Sequence, residues 1–328
     1  MQRREPRHHK FQRWPLALLC IALGCAYQLP SVRVVAQSQS QWRVQHATAA
    51  REIDELARRA MNVACAERES DPQGSAPIDE MQARPALPLG HSEVLAGVER
   101  AERLLPVAKT LAAESLRGLM REYGIKESAG VRAAFARLAQ VRIVRPDMEL
   151  RDNASVLYKE PRTIRFGTIF LAGLRSDEGM LSVLAHELTH VADGAGGSLV
   201  MLFRAVSRAA ARAAGLRINS RRGEELTCDL VGALAVRTYI ARTPGVETLA
   251  RRTTRALAHN CVEYDHTDRV HLSPRTTMRA LLTLDPAFAR EITGEPAQAS
   301  APLIVVTPAR RATRRAAHRV APRPPRRR

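Results

Sequence analysis

Apolar positions that recur every three to four residues dominate this chain, and that spacing predicts helices. One such segment covers residues 41–70, and two or three more follow between 91 and 140. Later segments with the same spacing predict helices at 198–216, 220–242, 245–260 and 273–284. The proline-rich stretch 71–90 between the early helices is typical of a linker or a wrapping loop.

The pattern changes between residues 141 and 172. Three short runs there are rich in β-branched or aromatic residues and are separated by turn residues: VRIVRP, ASVLYK and TIRFGTIFLA. They predict a small sheet. A helix is predicted directly after it at 176–192, with Ser176 or Asp177 as N-cap and Glu178 in the first turn. The fold class expected is therefore α+β, mostly helical, with the small sheet preceding this helix.

The first 36 residues resemble an export signal. Basic residues precede the apolar run Leu16–Tyr27, and the small-residue pattern at Val34–Ala36 is typical of a signal-peptidase site. The run is shorter than the roughly 20 residues of a membrane span. A cleaved signal is the favoured interpretation. An uncleaved anchor and, from Ala22–Cys25, a lipoprotein signal are the alternatives, and all three predict an exported, periplasmic or cell-envelope protein.

The net charge of +18 is concentrated at the chain ends. Residues 308–328 hold nine arginines and no acidic residue, whereas residues 37–307 carry only about +4. The chain from residue 300 onward is expected to be disordered. Its arginines would attract any polyanion. Because aromatic interleaving and base-reading motifs are lacking, no specific nucleic acid is expected, and an anionic membrane surface is the favoured contact.

The helix at 198–216 carries its own basic stripe. Arg204, Arg208 and Arg212 recur every four residues, while Leu202 and Val206 lie towards the other side. The favoured interpretation is a helix packed on the domain with a solvated arginine face. The alternative is a helix that lies on a membrane surface.

The stretch VLAHELTHVADG contains the candidate chemistry. His186 and His190 lie one turn apart on one helix face and can bind one ion together, with Glu187 beside it. Zinc binds imidazole readily, and a hydrolytic zinc site uses three protein ligands plus water. Glu187 would then accept a proton from that water. The competing interpretation is a pair of helix-face histidines hydrogen-bonded to their neighbours.

A third ligand is expected from a later helix, because the histidine that would continue a metzincin motif is replaced by Gly196. Glu225 and Asp229 lie four residues apart at 220–235, and Gly232 follows on the same face. Glu225 could bind the metal while Asp229 accepts the N–H of a ligating histidine. Gly232 would allow the helices to approach closely. The competing interpretation is a solvated acidic face.

These motifs resemble the gluzincin zinc peptidases of the HtpX, BepA and CAAX-prenyl-protease type (metallopeptidase family forty-eight). That family joins H-E-x-x-H to E-x-x-A-D on a second helix, and E-L-T-C-D at Glu225–Asp229 has that form. The resemblance selects Glu225 over Glu224 as a ligand. It covers roughly residues 141–290 and implies a zincin-like peptidase domain, here 141–299, preceded by a helical region at 37–140. It also implies one Zn²⁺ per chain.

The chain departs from the family at one position. There the family has a histidine, at the start of a late helix, that helps to stabilise the oxyanion of the reaction. Ser273 stands in that position. His271, two residues earlier, is therefore predicted as a catalytic residue, with Tyr264 and His266 as alternatives. The expected function is a zinc-dependent metalloendopeptidase acting on envelope or exported proteins. A thermolysin-like enzyme and a zinc-binding, chaperone-like module with little cleavage remain as alternatives.

Cysteines add little chemistry. Residues 20 and 25 lie in the apolar run, and no C-x-x-C is present. Cys228, in the place of a small residue, is expected to be a packed thiol. Pairs between Cys65 and Cys261, or between Cys228 and Cys261, remain open for an exported domain.

Overall fold

After the helical segment at residues 51–63, the described part of the chain forms seven further helices and a three-stranded sheet. These helices are α1 (Ser92–Glu122), α2 (Ala129–Gln140), α3 (Thr168–Gly173), α4 (Asp177–Asp193), α5 (Val200–Ala214), α6 (Ser220–Arg242) and α7 (Pro274–Leu284). The strands are β1 (Ile143–Asp147), β2 (Ala154–Val156) and β3 (Thr163–Gly167). The prediction of a mostly helical α+β fold, with a small sheet ahead of the motif helix, is confirmed.

This computed structural model describes residues 51–63, 65, 83–243, 245, 251–252, 255, 269–285 and 288, all within one unit, Ala49–Arg328. Residues 51–63 are helical. The predictions for the export signal, for most of the 71–90 and 245–260 segments and for the arginine-rich tail lie outside these residues. Within them, no helix combines the length and the apolar character needed to cross a membrane.

The strand order is β1-β3-β2. β1 runs parallel to β3, with Ile143 opposite Thr163, and β2 runs antiparallel to β3, with Ala154 opposite Phe166. The central strand is the most buried, as its β-branched and aromatic composition favours. It ends at Gly167, where an added Cβ would lie 1.9 Å from the carbonyl oxygen of Arg151.

Only the first half of the third predicted run, TIRFGTIFLA, forms a strand. Its second half forms the short helix α3, in which every residue is buried. The amides of Ile169 and Phe170 both donate to the carbonyl oxygen of Arg151, which turns the chain out of the sheet. A short apolar run suits a buried strand or a buried helix equally well, so periodicity alone could not separate them. The prediction of strand for TIFLA was wrong.

Helix α4 lies at the centre of the core. Its N-cap is Ser176, whose side chain accepts a hydrogen bond from the amide of Gly179, and it ends at Gly194, which has a φ of 61°. Leu181, Leu184 and Leu188 are fully buried. Truncating one such leucine to alanine typically costs about 2–5 kcal/mol of stability, so the helix is held firmly in place.

The helices ahead of residue 141 support α4 directly. The long helix α1 packs along it, and α2 contacts it as well. Arg137 on α2 donates hydrogen bonds to the carbonyls of Val191, Ala192 and Asp193. Those carbonyls lack partners within a helix because they belong to its last turn. The guanidinium therefore fixes the end of α4 just after His190.

The later helices begin where the sequence predicts. Asn219 caps α6 and Ser273 caps α7, with Pro274 in the first turn of α7. Helix α5 is shorter than predicted, because Gly215 ends it in a left-handed conformation with a φ of 66°. Cys228 is a buried free thiol, as expected. Cys65 is disulfide-bonded to a partner outside the described residues.

Candidate metal centre

Two antiparallel helices build the site. Gly232 on α6 lies against Ser182 on α4, Asp229 lies beside His186, and Glu224 lies beside His190. Residue numbers on α6 therefore fall as those on α4 rise. This register places one acidic turn of α6 opposite both histidines.

Gly232 sets the distance between the two helices. A Cβ at this position would lie 2.8 Å from the carbonyl oxygen of Ser182, too close for a backbone contact.

Gly232→Ala is expected to lower the free energy of unfolding by about 1–3 kcal/mol relative to Gly118→Ala. Gly118, on α1, has open space around it and should gain from the better helix propensity of alanine. Denaturant unfolding of both variants measures the difference. Equal stability of the two would show that Gly232 is not a spacing residue.

Three ligand-type atoms converge between the helices. The Nε2 atoms of His186 and His190 lie 3.2 Å apart. Oε2 of Glu225 lies 3.2 Å from the first and 3.4 Å from the second. All three side chains are mostly buried, with 14–19% of their surface exposed. The three atoms form a nearly equilateral triangle.

The other nitrogen of each imidazole also faces a carboxylate. Nδ1 of His186 lies 2.9 Å from Oδ1 of Asp229, and Nδ1 of His190 lies 3.0 Å from Oε1 of Glu224. A carboxylate at Nδ1 favours the tautomer that carries its proton there and leaves the Nε2 lone pair available. Sequence reasoning set Glu224 aside and missed its contact with His190. The sequence contains no clear signal for this contact, because Glu224 and Glu225 are adjacent on the helix and point in directions about 100° apart.

Protons or a cation must lie among these atoms, because lone pairs and a carboxylate otherwise repel one another. Burial disfavours the charged form of His186, but hydrogen bonds to Asp229 and Glu225 outweigh it and raise its pKa well above the usual value. The pKa of His190 is raised as well, against burial, by Cys228, Glu224 and Glu225. The pKa of Glu225 is lowered, against burial, by the two histidines. The cluster thus stabilises positive charge at its centre.

Cys228 offers a competing set of ligands. Ligand atoms of His186, His190 and Cys228 lie within 4.8 Å of one another. However, its sulfur approaches Nδ1 of His190, at 3.8 Å, on the side where Glu224 already binds. Burial raises the pKa of the thiol and so disfavours the thiolate. The carboxylate of Glu225 faces both Nε2 atoms, so it is the better third ligand.

Glu187 lies beside this triangle and is only 6% exposed. Burial raises the pKa of its carboxyl, while the nearby His186 and His190 oppose that change. Among the described residues its carboxylate has no hydrogen-bond or ion-pair partner. A buried acid with free oxygens and a raised pKa can accept and return a proton.

His271 lies at the open side of the site, in the segment just before α7. Its Nε2 is 3.7 Å from Oε2 of Glu225, and 58% of its side chain is exposed. Ser273 is fully buried, and its hydroxyl accepts a hydrogen bond from the amide of Thr276 in the first turn of α7. Its side chain is therefore in a poor position to stabilise the oxyanion. Of the predicted site residues, His186, Glu187, His190, Glu225, Asp229 and His271 therefore come together. Tyr264 and His266 lie outside the described residues.

Comparisons with protein-family models, with curated proteins and with solved structures return no match for this chain.

Proposed function

We propose that the protein is a zinc-dependent metalloendopeptidase that hydrolyses peptide bonds. The observation that carries the proposal is the triangle formed by Nε2 of His186, Nε2 of His190 and Oε2 of Glu225. These atoms come from two different helices, and Glu225 follows His190 by 35 residues in the chain. A solvated acidic face would not direct its carboxylate between two buried imidazoles.

The size of the triangle fits zinc. Zinc binds imidazole nitrogen at about 2.0–2.1 Å and carboxylate oxygen at about 2.0–2.2 Å, in tetrahedral geometry. The edge of such a tetrahedron is roughly 3.3–3.5 Å. The edges of the triangle in this structure are 3.2, 3.2 and 3.4 Å. His186, His190 and Glu225 would thus hold one ion and leave a fourth position open.

The carboxylates of Asp229 and Glu224 complete the support of the ligands. Each accepts a hydrogen bond from the Nδ1 of one histidine, which fixes the ring and makes Nε2 more basic. The burial of α4 and the capping of its last turn by Arg137 hold both rings in place. Such rigidity is what a hydrolytic site needs for reproducible positioning.

The chain's own residues account for the proton transfers of hydrolysis. When bound, zinc would supply Lewis-acid activation of water and of the peptide carbonyl. Glu187 accepts a proton as the water oxygen attacks the carbonyl carbon. It then delivers this proton to the amide nitrogen as the carbon–nitrogen bond breaks. His271, exposed at the open side, is the candidate hydrogen-bond donor to the oxyanion.

The arrangement resembles the gluzincin peptidases, and we propose a zincin-like domain on that basis. A protein or peptide chain is the proposed substrate, because the family that the motifs resemble hydrolyses peptide bonds. An exported or cell-envelope location follows from the sequence of residues 1–36 and is part of the proposal. The alternative is a zinc-binding module with little cleavage, which the 58% exposure of the His271 side chain favours.

Chelation tests the function as a whole. The purified full chain is expected to contain about one zinc and to cleave unfolded casein. A chelator such as 1,10-phenanthroline should abolish cleavage, and zinc added in slight excess should restore it. The non-chelating isomer 1,7-phenanthroline is the control and should have no effect. Cleavage that survives complete removal of metal would contradict the proposal.

A further inference from the structure

One segment of the chain is basic and lacks acidic residues. Between Gly194 and Gly223 the chain contains no acidic residue. Five exposed arginines lie within this segment: Arg204, Arg208, Arg212, Arg217 and Arg221. This positive charge lies within residues 195–222, and in the sequence it is separate from the arginine-rich segment 308–328.

These arginines differ from several others on the surface. Exposed arginines that do form ion pairs include Arg103 with Asp177 and Arg242 with Glu114. Among the described residues, the five arginines between 204 and 221 have no salt bridge and no side-chain hydrogen bond. Their guanidinium groups are thus available to an external anion. Arginine binds phosphate with two parallel hydrogen bonds, which makes it well suited to that role.

Two apolar side chains adjoin the arginines on α5. Val200 is 40% exposed and Met201 is 52% exposed, at the first turn of the helix. At 100° per residue, Val200, Met201, Arg204, Arg208 and Arg212 fall within an arc of about 120°. We call this arc the α5 face. The opposite side of the helix, including Leu202 and Val206, is buried in the core.

We propose that the α5 face binds the surface of an anionic lipid bilayer. Its arginines would contact lipid phosphates, and Val200 and Met201 would enter the boundary between headgroups and acyl chains. Each basic residue near an anionic leaflet contributes attraction that falls off within a Debye length. Because α5 packs against α6 and α7, this contact would hold the whole domain at the membrane.

The apolar pair favours a membrane over a nucleic acid. Both partners offer phosphates, but single-stranded nucleic acids are bound mainly by aromatic stacking and duplexes by side chains that read base edges. The α5 face has neither an aromatic side chain nor an amide side chain. Exposed aliphatic residues at one end of a basic helix suit insertion into lipid.

Vesicle binding of the full-length chain tests the charge of this face. The variant R204Q/R208Q/R212Q is expected to bind vesicles of phosphatidylcholine and phosphatidylglycerol at least about tenfold more weakly than the wild type. The control R142Q/R162Q/R175Q removes three exposed arginines from connecting segments elsewhere in the structure and should bind like the wild type. The basic chain end is identical in both. An equal loss of vesicle binding in the two variants would show that only the net charge of the protein matters, and it would overturn the proposal.

A local probe tests insertion itself. Met201→Trp should show a blue shift of its fluorescence, relative to the two native tryptophans, when anionic vesicles are added. Duplex DNA of equal phosphate concentration should leave the emission unchanged. A shift with DNA but none with vesicles would replace the membrane with a nucleic acid as the partner. No shift with either would exclude contact through the α5 face.

Discussion

Glu187→Gln is expected to lower the cleavage of unfolded casein by at least about 10²-fold, the usual effect of losing a general base. Glutamine has the same shape and can still form hydrogen bonds, but it cannot accept the proton of the attacking water. The zinc content should not change, because Glu187 lies beside the three converging atoms and is not one of them. The measurements are turnover and metal content of the purified proteins.

The stability of this variant separates chemistry from folding. Burial raises the pKa of Glu187, so its ionised form costs folding free energy at neutral pH. A neutral amide removes that cost, and the melting temperature should therefore persist or rise. Glu102→Gln, at an exposed position on α1, is the matched control and should change neither activity nor stability.

An inactive wild type would decide against the peptidase. If fully zinc-loaded wild-type protein cleaves nothing in a broad peptide library, and Glu187→Gln behaves identically, the function is that of a zinc-binding module. That outcome would agree with the exposed position of His271. It would leave the assignment of the metal ligands untouched.

The local parts of the site could be predicted from the sequence because helices have a fixed period. His186 and His190 are four residues apart, so any helix brings them to one face. The buried leucines of α4 made that helix predictable, and its cap at Ser176 fixed its start. Residues 168–173 were ambiguous because a short apolar run has too few positions to show whether the apolar residues repeat with the period of a strand or of a helix.

The non-local parts depend on helix register, which periodicity does not contain. Glu225 reaches the histidines only because Gly232 packs on Ser182, and that contact sets which turn of α6 faces them. The resemblance to a known family supplied this register. It did not supply the contact of Glu224 with His190, since neighbouring residues on a helix point in directions about 100° apart. The position of His271 depends on a non-helical segment with no period at all.

Glu225→Ala is expected to remove most of the zinc, and its comparison with three neighbours identifies the ligands. It deletes the only oxygen that lies within 3.4 Å of both Nε2 atoms among the described residues. Glu224→Ala and Asp229→Ala remove only hydrogen-bond partners of Nδ1. They should weaken zinc binding by about 10–100-fold and still retain metal at micromolar zinc.

Cys228→Ala completes this series, because it separates the two sets of ligand atoms that the site contains. The thiol touches the Nδ1 side of His190, so its removal should leave the zinc content unchanged if Glu225 is the third ligand. The family that the motifs resemble has alanine at this position, so the packing should tolerate the substitution. Metal content after dialysis against a weak chelator, measured for all four variants, gives the order of affinities. Loss of metal from Cys228→Ala together with retention in Glu225→Ala would assign the ion to His186, His190 and Cys228. Equal retention in Glu224→Ala and Glu225→Ala would show that neither carboxylate binds it.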